Sequence, residues 1–118
     1  MLQIREEHDA AFREEALIDY QDRMLMHLER FFPEHCEALG EENTRLLIEH
    51  GIERAATYDI VSERDVCLFI DLMLALGVDF DESDKYPWAR ELLTDENAPE
   101  PRIDAVHDRA MRQIEQAG

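Results

Sequence analysis

Residues 62–77 read SERDVCLFIDLMLALG, and this stretch decides the fold. The Ser62 hydroxyl is placed to cap the amide three residues on, at Asp65, whose own acid suits the positive end of a helix. Val66, Phe69, Ile70, Met73 and Leu74 recur at three- and four-residue steps, with Cys67 and Leu76 nearby and only Asp71 interrupting. Gly77 is expected to close the helix as a left-handed cap. The result is the most buried helix readable in the chain.

Working outward, the same period appears on both sides. Upstream, Ile4, His8, Phe12, Ala16, Leu17, Tyr20, Met24, Leu28 and Phe31 trace one face of a long first helix that Pro33 must stop or kink. Pro33–Leu39 reads as a short helix ended by Gly40. A further helix is expected from about Glu42 to Tyr58, with Leu46, Leu47, Ile48, Ile52, Ala55 and Ala56 apolar. Gly51 inside it costs up to ~1 kcal/mol relative to alanine, which points to close helix packing or a break there. Downstream, Pro87 opens a short helix to about Thr94, Asn97–Pro101 is a loop, and Arg102–Gln116 is helical with Ile103, Val106, Ala110, Met111 and Ile114 on one face. No alternating strand pattern and no repeat occurs. The expected fold is all-α: a single compact domain of five to six helices with a long N-terminal helix.

The 118 residues carry 29 acids against 12 bases, a net charge of −17. The acids are spread along the chain, so direct binding to nucleic acid or to an anionic membrane surface is disfavoured and a basic protein partner fits better. Cys36 and Cys67 sit among apolar helical neighbours and read as reduced core thiols. The start, MLQIREEHDA, lacks the apolar stretch of a signal peptide, and no apolar run reaches the ~18 residues of a membrane span. A cytoplasmic protein is expected.

The connection Gly77–Ala89, GVDFDESDKYPWA, packs four acids and three aromatics together. As a calcium loop it offers Asp79, Asp81 and Ser83 at the first three ligand positions, but Asp84 replaces the required glycine and Arg90 the closing glutamate. Phe80 is expected to fold back onto the core, with Asp79 and Asp81 on either side in water and Trp88 anchoring the next helix. Tyr86 and Trp88 also suit a docking patch, with Asp79, Asp81, Glu82 and Asp84 steering a basic partner. The histidines (His8, His27, His35, His50, His107) fall in no HExxH or CxxC context, and adjacent His35 and Cys36 point about 100° apart on a helix. No phosphate loop or GxSxG occurs, and burial should leave Cys67 inert. Neither a metal, a cofactor nor a catalytic group is expected.

Phe31-Phe-Pro33, Gly51-Ile52…Ala55…Tyr58, Arg64-Asp-Val66…Phe69-Ile-Asp-Leu-Met73, Leu76-Gly77…Phe80-Asp81 and Pro87-Trp-Ala89…Leu93 together resemble a small bacterial family encoded in type VI secretion effector clusters, over roughly residues 20–95. Asp59 stands where that pattern has a glycine after the tyrosine. The resemblance implies an accessory role without catalytic residues: a co-chaperone or adaptor whose partner is an effector chaperone, an effector or a spike-tip protein. The acidity alone also suits a cytoplasmic immunity protein that blocks a basic toxin site.

Overall fold

In the computed structural model, the described backbone covers residues 2–97 and 101–117, and the described side chains cover 15–97 and 101–116. The chain is all-α, with α1 (Leu2–Phe31), α2 (Pro33–Ala56), α3 (Glu63–Leu76), α4 (Pro87–Thr94) and α5 (Arg102–Ala117) and no strand among the described residues. The expected side-chain positions of Ile4, His8 and Phe12, and the middle of the Asn97–Pro101 loop, lie outside the described residues. The packing divides into two units, Met1–Ile48 and Glu49–Gly118.

In the first unit, only Phe32 separates α1 from α2, because Pro33 supplies no amide to continue the ladder. Tyr20, Met24, Leu25 and Leu28 form the buried stripe of α1 at helical spacing. Phe31, expected on that stripe, is 59% exposed. It ends the helix, and its ring instead meets His27 one turn earlier, with Arg30 over its face. Gly40 leaves helical geometry at φ 81, ψ 160, so α2 is two helical segments meeting at a kink, at the break the sequence marked. Side chains tie that broken turn: Thr44, fully buried, donates to the Gly40 carbonyl at 2.8 Å, and Asn43 donates to the Leu39 carbonyl at 3.0 Å. Beyond the kink the buried stripe of α2 within this unit runs through Thr44 and Ile48. Leu46 stands about 200° round from Thr44 and is therefore exposed, contrary to expectation.

In the second unit, the Asp65 amide donates to Ser62 Oγ at 3.2 Å, and Val66, Phe69, Ile70, Leu72, Met73 and Leu74 are buried. The cap at the other end differs from expectation. Gly77 sits at φ 125, ψ 150, a region open essentially to glycine alone, rather than in the left-handed helical region. The extended ψ sends the chain away from the helix while the Gly77 amide still donates to the Met73 carbonyl at 3.0 Å. Between α2 and α3, Asp59 takes φ 61. Aspartate tolerates this conformation better than most residues, so the turn forms without the glycine of the resembled pattern. α5 packs on α3 and α4 and buries Ile103, Val106 and Ala110, while Ile114 reaches the surface. Arg64 on α3 pairs with Asp104 on α5 at 2.8 Å, and Arg102 donates to the Leu93 carbonyl at the end of α4 at 3.0 Å.

Candidate docking loop

The segment between α3 and α4 is wound from successive tight turns. Phe80 donates to the Gly77 carbonyl at 3.0 Å, Glu82 to Asp79 at 2.9 Å and Tyr86 to Ser83 at 3.2 Å, all through backbone amides. The Ser83 hydroxyl accepts from the Lys85 amide at 3.1 Å. This winding turns two consecutive side chains inward. Phe80 is 1% exposed and its ring lies 5.0 Å from that of Phe69, so burial of this one side chain contributes about 2 kcal/mol. Phe69 also meets Tyr58 at 6.2 Å.

Asp81 is the second inward residue and corrects the expectation that it stands in water. It is 1% exposed, and its Oδ2 accepts from the Arg54 guanidinium and from the Tyr58 hydroxyl, the latter at 2.8 Å. Arg54 lies in the last turn of α2 and Tyr58 in the turn beyond it, so the end of one helix reaches across to clip the loop. A carboxylate taken out of water needs such partners, since an unpaired buried charge costs several kcal/mol. The contact marks its members. Burial, and then the hydrogen bond to Asp81, push the Tyr58 hydroxyl up to about 12, and Arg54's own hydrogen bond to Asp81 makes it hold its proton more tightly. Arg54 extends further to Glu82 at 3.3 Å, which remains exposed.

Asp79, Glu82 and Asp84 are exposed. Glu82 and Asp84 line a groove of about 360 Å³ with Ser83, Pro87, Arg90, Glu91 and Thr94. Tyr86 and Trp88 are half-buried and meet edge to face at 5.8 Å. Arg109 of α5 lies over the Trp88 ring at 5.3 Å. Trp88 is thus a surface aromatic held from one side, with part of its area in water. The structure brings Tyr86 and Trp88 together at the loop's exit and removes Asp81 from the presented acids. Three participants carry no sequence signal that ties them to this loop: Arg54, Tyr58 and Arg109. The first two stand four apart around a helix end, a spacing that carries meaning only once the loop is known to fold back onto it.

Both thiols hold their protons more tightly than a free cysteine. Burial, and then Asp71, push Cys67 up to about 11. Burial and Glu29 raise Cys36, against a smaller opposing hydrogen bond to Thr44. No described helix is long and apolar enough to cross a membrane. Comparison of the chain with protein-family profiles, with curated proteins and with solved structures finds no significant match in any of the three.

Proposed function

We propose that the chain is a non-enzymatic, cytoplasmic protein-binding adaptor that docks its partner through the loop between α3 and α4. One observation carries this reading. Phe80 and Asp81 fix the loop from inside, while Asp79, Glu82 and Asp84 remain in water beside the half-exposed Tyr86–Trp88 pair. A loop already held in one conformation loses little freedom on binding, so more of its contact energy appears as affinity. The acids would speed encounter with a basic surface, and the aromatics would supply the desolvated contact. The resemblance to the type VI secretion accessory family supports a narrower role, co-chaperone or adaptor in effector loading, with an effector chaperone, an effector or a spike-tip protein as partner. The net charge of −17 supports a second reading, a cytoplasmic immunity protein covering a basic toxin site.

The test is binding between purified proteins, with chaperone, effector and spike-tip protein offered separately. A complex with the chaperone, weakened about tenfold in the triple variant Asp79→Asn/Glu82→Gln/Asp84→Asn and again in Trp88→Ala, is the expected result. The loss for the triple variant should fall mainly on the association rate and shrink in high salt. Tight binding to the isolated toxic domain, with rescue of growth, selects the immunity reading instead. No complex with any of the three refutes both.

A further inference from the structure

The acidic surface of the second unit gives way on α5. Arg109, Arg112, Gln113 and Gln116 stand at i, i+3, i+4 and i+7, one stripe of the helix, and line a cleft of about 250 Å³. Both arginines are exposed, and among the described residues neither lies in an ion pair. Arg54 and Arg64 of the same unit, by contrast, are each closed on two carboxylates. Asp108 precedes Arg112 by four residues and Glu115 follows it by three, spacings at which helical pairs form, yet neither takes up the guanidinium. Arg109 meanwhile covers Trp88, and Trp88 meets Tyr86 at the exit of the acidic loop. This unit therefore presents acids, then an aromatic pair, then arginines.

We propose that the α5 stripe is a second docking surface, for an acidic segment of a protein partner. The inference rests on the docking reading of the neighbouring loop, and it gives the partner a face of both signs. Charge complementarity selects the occupant. A guanidinium fork matches a carboxylate with two parallel hydrogen bonds, and the glutamine amides beside it add neutral donors and acceptors. A long polyanion such as nucleic acid would meet the repulsion of a chain carrying −17, whereas a short acidic segment interacts mainly within a Debye length of ~8 Å. A uniformly basic toxin face would meet Arg109 and Arg112 as like charges.

The test titrates the full chain at physiological ionic strength, where the ~8 Å screening length applies, with dye-labelled hexaglutamate and, separately, hexaarginine, read by peptide anisotropy. Emission of Trp88, the only tryptophan, gives a second readout beside Arg109. Saturable hexaglutamate binding, weakened about fivefold or more in Arg109→Gln/Arg112→Gln and retained in Asp79→Asn/Glu82→Gln/Asp84→Asn, is expected. Both variants change exposed residues, and their thermal unfolding should match that of the parent chain. Absent hexaglutamate binding, or binding indifferent to the arginines, overturns the α5 surface. Hexaarginine binding that needs Asp79, Glu82 and Asp84 would leave the loop standing in that case. Hexaglutamate bound through the arginines with no hexaarginine binding would uphold the α5 surface and remove the loop.

Discussion

Asp79 and Asp81 are two positions apart in one loop and have opposite fates: the first is exposed and the second is 1% exposed. Nothing local separates them, since both flank Phe80 in an acid-rich run. The difference is made by Arg54 and Tyr58, 27 and 23 residues upstream, which is why a reading along the chain put both acids in water. Phe80 was legible because a lone large apolar side chain among acids has few places to go but the core. Replacement of Asp81 by alanine should cost about 2 kcal/mol, since it leaves a partly buried guanidinium with only the exposed Glu82 and takes the acceptor from the Tyr58 hydroxyl, whereas Asp79→Ala should stay within about 0.5 kcal/mol. Denaturant unfolding of the two variants measures this directly. Tyr58 adds a pH signature. Burial and the Asp81 hydrogen bond favour its neutral form, so the folded chain holds that proton up to about 12 while the unfolded chain releases it near 10.0. The contribution is complete below pH 10 and is lost as pH rises toward 12. Unfolding midpoints should therefore fall across that window, and the fall should be shallower in Tyr58→Phe. Cys67, raised from 9.0 to about 11, slopes the same way and is common to both chains, so their difference isolates the tyrosine.

Among the elements, helix boundaries were the most legible feature. Pro33, Gly40, Ser62, Gly77 and Pro87 act through backbone geometry and capping, which are local causes. Faces were less legible near helix ends and past the Gly40 kink, where Phe31 and Leu46 turned outward although their spacing fitted. Gly51 shows both sides of this. Its presence inside α2 signalled close packing or a break, and the structure shows packing. A Cβ built there would lie 2.6 Å from Ile70 Cγ1 and 2.9 Å from Met73 Sδ on α3. Alanine would gain about 1 kcal/mol of helix propensity, but Ile70 is fully buried and the offending carbon is the inner branch of its side chain. Overpacking of this kind costs about 1–3 kcal/mol. Gly51→Ala should therefore lower stability by about 1 kcal/mol in denaturant unfolding, and a stabilised variant would show that α2 and α3 separate readily at that point.

For the whole molecule, all-α architecture was legible because every apolar period in the chain is helical and no segment alternates. The boundary between Met1–Ile48 and Glu49–Gly118 falls inside α2, and no linker, composition shift or charge run marks it in the sequence. Charge behaved in a similar way. The total of −17 was plain in the composition, but the cleft lined by two arginines was not, because Arg109 and Arg112 alternate with Asp108 and Glu115 along the sequence, and only the side-chain contacts show that neither acid closes on them. The loop acids were found from their density, and their partition into presenting and anchoring groups needed the fold.

The clip on the loop also bears on how such a chain can diverge. Losing Asp81 leaves Arg54 with only the exposed Glu82, and losing Arg54 leaves an almost wholly enclosed carboxylate with only the Tyr58 hydroxyl, so each single step should lower stability before a second can restore it. Descendants of a common ancestor should accordingly keep the set or exchange it as a set. An arginine, a tyrosine four positions later and an aspartate after a phenylalanine in the next connection would form a spaced signature. That signature should persist in lineages whose surfaces have drifted past ordinary detection.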